Sequence, residues 1–347
     1  VTEPVPPEVV DLERLAAWMD DQGLGSGAIE EARSLAGGTQ NLLLRFRRSG
    51  REYVLRRPPL HKRANSDETM RREARVLGAL AGSDVPHPGL IAGCPDPDVL
   101  GAAFTLMEPV DGFNPTTGLP PLHAGDPAVR HAMGLAMADA IAALARVDHQ
   151  AVGLADFGKP EGFLERQVER WRSQLASYAE FDGYPGPEIP GVDEVAAWLD
   201  ANRPPASPTG ILHGDFHLAN VLFSFSGAEL AAMVDWELST IGDPLVDLGQ
   251  LLATWPDPDD EQTLLTVQPW DGFPTAAELV ERYGKGSDRD LSAVPWYEVL
   301  ACYRLGIILE GTHARACAGK APKEFGDLLH GVTLALFARA RRRIGRA

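Results

Sequence analysis

The segment Ile211-Leu212-His213-Gly214-Asp215-Phe216-His217-Leu218-Ala219-Asn220-Val221-Leu222 holds the densest set of groups able to do chemistry. Apolar residues run into a polar loop and out again, and polar groups set between such segments are costly unless paired or in use. Fifteen residues past Asn220 comes Met233-Val234-Asp235-Trp236-Glu237, and then Gly242-Asp243-Pro244-Leu245-Val246-Asp247-Leu248. Asp215, Asn220 and Asp235 offer hard oxygen donors, the kind Mg²⁺ takes while leaving its other positions to water and phosphate. Two chemistries fit. In phosphoryl transfer, one Asp accepts the proton of a substrate hydroxyl, an Asn five residues on holds Mg²⁺, and a later Asp holds it too. In the other, His213, Asp215 and His217 stand on one face of a strand and ligate zinc or iron, as in a metal-dependent hydrolase. That reading needs further donors, and the later His313 and His330 show no ligand spacing.

HGDFHLAN, followed by VDWE and GDPLVDL, resembles the aminoglycoside phosphotransferase family, relatives of choline kinase and more distantly of protein kinases. ELSTIGDPLVDLG is similar to the branch of that family joined to acyl-CoA dehydrogenases. The resemblance implies an α+β, two-lobed protein kinase-like fold. A small antiparallel-sheet lobe would span residues 1–107, a hinge 108–112, and a larger, mostly helical lobe 113–347. It implies ATP and Mg²⁺ as cofactors, Asp215 as the base, and Asn220 and Asp235 as metal ligands. Gly38 and Thr39, within Gly37-Gly38-Thr39-Gln40-Asn41, fall where the family keeps its nucleotide loop, and glycine lets backbone N–H groups approach phosphate.

Tyr53-Val54-Leu55-Arg56 takes the place of the strand that carries a phosphate-binding lysine. Arg56 would clamp phosphate there with a planar fork instead of a point charge. Glu73 on the next helix would orient it, and Arg57 is the alternative cation. In Met107-Glu108-Pro109-Val110-Asp111-Gly112 the Glu108 C=O and Val110 N–H would meet adenine. His217 would contact the transferred phosphate or only pack, His213 would brace the loop, and Asp243 and Asp247 would be scaffolding. Arg56 in place of lysine also leaves room for a nucleotide-binding regulator without turnover.

The elements that must position these groups are legible in outline. An amphipathic helix is expected over 8–22. Leu42, Leu44 and Phe46 alternate into a strand, Ser49-Gly50 turns the chain, and Tyr53-Val54-Leu55 opens a second strand that Pro58-Pro59 ends. A helix follows over 67–81 and a strand over 102–107. Beyond the hinge, helices are expected at about 126–147, 161–181, 192–202, 243–254, 275–283, 294–318 and 323–344, with short strands near 220–225 and 231–235.

Composition bounds the function. The 347 residues carry a net charge of −17, which argues against a nucleic-acid binder. Residues 31–80 are locally basic, at +7, which suggests two lobes with different ligands. Three cysteines without a CxxC pair suggest a reducing compartment. No leader pattern is visible, and the apolar stretch 131–145 carries His131 and Asp139, short of a membrane span. The expectation is a cytoplasmic protein whose partner is a small hydroxylated substrate, with neither nucleic acid nor membrane. Residues 253–290 are rich in acid and could receive a cationic aminoglycoside. The basic end, ARARRRIGRA, and the dehydrogenase-linked motif favour a non-antibiotic hydroxyl metabolite.

Overall fold

The computed structural model describes residues 10–35, 41–59, 62, 64–260 and 262–346. Gly38 and Thr39 lie outside them. In the N-terminal part, helix α1 (Leu12–Asp21) precedes strands β1 (Glu30–Ser34), β2 (Leu42–Arg48) and β3 (Arg51–Arg57). Then come helix α2 (Ser66–Ala79), strand β4 (Leu90–Cys94), the single turn α3 (Pro97–Leu100) and strand β5 (Phe104–Met107). The five strands form an antiparallel sheet in the order β1-β2-β3-β5-β4.

The hairpin between β2 and β3 turns at Ser49 (φ 49°) and Gly50 (φ 76°). Two central residues at positive φ make the two-residue turn whose twist matches that of the strands it joins. Because successive side chains alternate faces, Tyr53 and Leu55 pack with Leu44, Phe46, Leu15 and Met19 under α1. Val54 belongs instead to the large core shared with α2 and the C-terminal part. Arg56 shares Val54's face, so the alternation that buries Leu55 under α1 directs Arg56, not Arg57, toward α2 and the C-terminal part.

The C-terminal part is mostly helical: α4 (Pro121–Gly125), α5 (Pro127–Arg146), α6 (Gln167–Ser177), α7 (Val192–Ala201), α8 (Leu245–Thr254), α9 (Ala276–Lys285), α10 (Val294–Cys317) and α11 (Lys323–Ile344). Two small antiparallel pairs interrupt it. Strand β6 (Gly210–Leu212) pairs with β9 (Thr240–Gly242), and β7 (Val221–Phe223) with β8 (Leu230–Met233). Helix α5 is long and apolar enough to cross a membrane by composition, but half of that stretch is buried within the protein. Its Arg130 is buried and reaches Asp271 at 3.0 Å, and its Asp139 pairs with Arg282 of α9.

Helix α2 is fastened to the larger lobe from its own exposed edge. Arg72 donates to the carbonyls of Phe157 (2.9 Å) and Ser239 (3.1 Å) and lies over the Phe157 ring. Arg75 donates to Gly153 O at 2.7 Å and to Asp156.

Differences from the sequence reading have local causes. α1 begins at Leu12 because Asp11 accepts from the Arg14 N–H and caps it. Helix α6 starts at Gln167, after turns through Pro160 and Gly162 (φ 60°), and ends in a 3₁₀ turn over Tyr178–Glu180. β5 starts at Phe104, since the Ala103 N–H is taken by Asp67 at 3.0 Å. β1 and β4 were not anticipated. The first is a polar edge strand, EEARS, and the second, LIAGC, is weakened by Gly93.

Candidate active site

The loop after β6 is held from beneath by α8. Asp247 accepts the backbone N–H groups of His213 (2.7 Å) and Gly214 (2.9 Å) on its two oxygens. Burial pushes its carboxyl up to about 6 despite those two donors. Gly214 has φ 85°, and a Cβ there would stand 2.3 Å from the Leu238 carbonyl oxygen, so only glycine fits. His213 is fully buried; Nε2 meets Val234 O at 2.9 Å and Nδ1 accepts from the Asp215 N–H at 3.3 Å. Burial lowers its pKa to about 4, so the ring is a neutral brace. Strand β6 ends at Leu212, so His213, Asp215 and His217 form no strand face, and both His213 nitrogens are already engaged. The zinc or iron reading of this segment has no geometry to rest on.

Asp215 stands at the loop's exposed lip. Its Oδ2 lies 3.1 Å from Asn220 Nδ2 and 3.3 Å from His217 Nε2, and Gln250 of α8 reaches Oδ1 at 3.4 Å. Burial would raise its pKa, but the His217 hydrogen bond and the charges of His217, Arg304 and His213 outweigh it and hold the carboxyl at about 2. Asn220 spends its Nδ2 on Asp215, which leaves Oδ1 without a protein partner among the described residues. Asp235 follows β8 in a left-handed conformation (φ 66°), a strained setting for a non-glycine residue. Strain of this kind persists only where the surroundings over-determine it.

Across the cleft, Arg56 Nη2 donates to Asp235 Oδ1 at 2.5 Å, and Arg56 Nε lies 3.0 Å from Glu73 Oε2. The second contact is off-axis, an ion pair without a hydrogen bond. Burial, then the neighbouring Asp235 and Glu237, push Glu73 up to about 7 against the pull of Arg56. Arg57 instead donates to Pro58 O. Hence Arg56, Glu73, Asp235, Asn220, Asp215 and His217 converge. Glu108 and Val110 lie on the segment joining the lobes. The Glu108 N–H donates to Gly89 O, while its C=O and the Val110 N–H have no backbone partner among the described residues. Trp236 is core, donating to Met233 O, and Asp243 is scaffolding, accepting from Ser207 and Tyr297 at 2.6 Å each.

A model of the phosphotransferase enzyme family matches residues 31–288. The chain belongs to that family. Its relatives include acyl-CoA dehydrogenase family member 10 of Mus musculus, 31% identical over 82% of this chain and 26% of the mouse protein. The chain thus spans about a quarter of the length of that relative. Among solved structures, a candidate aminoglycoside phosphotransferase from Ralstonia eutropha JMP134 superposes with a TM-score of 0.79 at 30% identity, covering 96% of this chain and 99% of that one. Aminoglycoside phosphotransferase APH(4)-Ia, solved with ADP and hygromycin B, shares the fold at 15% identity and a TM-score of 0.57, covering 93% of this chain and 97% of that one. The two-lobed, kinase-like α+β architecture expected from the motifs is therefore the architecture of this phosphotransferase family member.

Two site residues escaped the sequence reading. Arg304, buried on α10, donates to the Gly214 carbonyl and faces Asp215 and Asp247. Gln250 is the other. The usable signal was a polar residue inside a mostly apolar helix: Gln250, one turn after Asp247, in LVDLGQLLAT and Arg304, after Glu298, in YEVLACYRLGIIL.

Proposed function

We propose that the protein is a kinase of a small, non-antibiotic hydroxylated metabolite, using ATP with Mg²⁺. The observation that carries this reading is the meeting of Arg56 and Glu73 from one lobe with Asp235, Asn220 and Asp215 from the other. Asp215 is ionised and half-open, so it can accept a hydrogen bond from an acceptor hydroxyl, aim it, and take its proton late in transfer. His217 and Gln250 fix the carboxylate. Asn220 Oδ1 and the Asp235 oxygen not held by Arg56 are hard donors suited to Mg²⁺. When bound, the ion would offset charge developing on the phosphates. Arg56, already seated on Glu73, supplies a cation beside them, and this seating supports turnover over binding alone. Glu108 C=O and Val110 N–H would take the adenine edge.

The acidic stretch weighs against a cationic antibiotic. Asp257, Asp259 and Asp260 are paired with Arg343, Arg346, Arg339 and Arg342 of the chain's own C-terminal end, and Asp271 with Arg130. A hydroxyl-compound library screened for ADP release with ATP and Mg²⁺ tests the proposal. The expected result is saturable turnover of a metabolite-like alcohol, with kanamycin-type compounds slow and unsaturable. Efficient phosphorylation of kanamycin-type compounds would overturn the acceptor assignment, and ATP binding without turnover of any alcohol would overturn the kinase.

A further inference from the structure

Outside the cleft, the facing sides of α10 and α11 bring together a second group of chemically able side chains. Glu310 and His313 are three residues apart on one face of α10, and His330 comes across from α11. The two imidazoles stack with ring centres 4.5 Å apart. One donor atom from each of the three residues lies within 4.8 Å of the others. The Glu310 carboxylate is fully buried and takes His330 Nδ1 at 2.7 Å. His313 Nδ1 is buried with no hydrogen-bond partner; its nearest acid, Asp327 Oδ1, is 3.6 Å away. Cys317 Sγ stands 3.7 Å from the other ring nitrogen of His313. Counted along the chain, His313 pairs only with Cys317, four residues on, and the two histidines stand 17 residues apart. The pattern closes only when a glutamate on one helix is joined to a histidine on the next.

We propose that Glu310, His313 and His330 form a binding site for a divalent transition-metal ion, zinc being the ion whose preferences they fit. Two imidazoles and a carboxylate are a frequent zinc donor set, with a water or a further side chain in the fourth position. A tetrahedral ion at about 2.0–2.1 Å from each donor needs donor separations of roughly 3.4 Å. Glu310 Oε2 and His330 Nδ1 stand 2.7 Å apart and no pair of donors is farther than 4.8 Å, so small rotamer changes reach that value. The supporting shell is in place: Tyr184 donates its hydroxyl to Glu310 Oε1 at 2.7 Å, fixing the carboxylate and leaving Oε2 toward the histidines. An ion there would also satisfy the orphaned His313 nitrogen. Its three donors are none of the cleft residues; the nearest by sequence, Arg304, lies six residues, about 9 Å, earlier along α10.

The test uses the full chain, stripped with chelator and free of nucleotide, titrated calorimetrically with Zn²⁺ alone. The expected result is saturable binding of about one equivalent. His313→Gln and His330→Gln should each weaken it by more than the about 10- to 100-fold that losing an outer-shell partner costs. Asp235→Asn, in the nucleotide cleft, should leave it unchanged. Should either histidine variant fail to fold, Co²⁺ added to the wild-type chain decides: strong visible bands of a four-coordinate ion support the site, and the weak bands of a hydrated ion overturn it. Stoichiometric zinc binding that survives both histidine variants, or no saturable zinc binding at all, also overturns the proposal and leaves a plain His–Glu hydrogen bond.

Discussion

Two arginines, each set among carboxylates, mark the two ends of what charge does in this protein. Arg339 on α11 is saturated. Its Nε meets Glu298 at 3.0 Å, Nη1 meets Asp260 at 3.0 Å and Trp255 O at 2.9 Å, and Nη2 meets Leu252 O at 2.8 Å. Arg343 and Arg342 add second contacts to the same acids. Arg56 is also buried, but its Nε and the facing Glu73 oxygen share no hydrogen bond, its partner Asp235 is 39% exposed on the side chain, and Asn220 Oδ1 has no partner among the described residues. Burying ions is expensive, and a network built for stability completes every bond it can. The cleft leaves bonding capacity unspent, which is what a ligand-binding site requires.

The largest effect expected on the cleft side comes from Asp215→Asn. Turnover should fall by about 10²- to 10⁴-fold, the usual contribution of a positioned base, while ATP affinity stays near wild type; near-native ADP release with a verified acceptor would remove Asp215 from that role. On the other side, Arg339→Ala leaves Asp260 and Glu298 only Arg342 and Arg343, removes the donors to the Trp255 and Leu252 carbonyls, and should cost about 1–3 kcal/mol in urea unfolding with little change in nucleotide affinity. Arg56→Ala should reverse that pattern, because Glu73, already near pKa 7, can simply keep its proton. Equal stability losses in the two variants would erase the distinction drawn here.

Asp235→Ala should weaken Mg²⁺-dependent nucleotide binding by about 10- to 100-fold, the worth of a charge-assisted contact, as read by titration with and without the ion. A smaller effect is set by pH. Glu73 binds its proton more tightly folded (about 7) than its ordinary value of 4.5, so the native state holds a proton the unfolded chain has released, and stability declines as pH rises through that window. Glu73→Gln should flatten that decline in urea melts between pH 4.5 and 7; an unchanged slope would show that Glu73 titrates normally. Smallest of all, Arg56→Lys should cost only a few-fold, roughly, in nucleotide affinity, since a cation is kept and only the fork is lost. A loss as large as that of Arg56→Ala would make the fork essential.

Most of the large helices and the central hairpin were legible because their apolar spacing is strong, and the polar loop after β6 because its residue types are costly where they sit. Arg56 against Arg57 was legible in principle: Tyr53 and Leu55 are the apolar pair of one face, which leaves the even positions for the other. Without the sheet, nothing said which face was the cleft. β1 and β4 stayed hidden because an edge strand of EEARS and a glycine-containing strand owe their existence to their neighbours. Arg304, Gln250 and the acid–arginine network are tertiary pairings across 30 to 90 residues, for which local sequence holds only the hint of a polar residue in an apolar helix.

The anchoring of α2 by Arg72 and Arg75 has a mechanical consequence. By chain order α2 belongs to the small lobe, yet its arginines grip carbonyls of the large one at Phe157, Ser239 and Gly153. A widening of the cleft that carried α2 along would break all of these contacts together. The same helix is held to the sheet side as well, by Asp67, which accepts the Ala103 N–H at 3.0 Å, and by Arg71, which donates to Pro95 O at 2.9 Å. Glu73 therefore stands on a strut clamped at both lobes, and Arg56, paired with Glu73 and Asp235, closes the same bridge from β3.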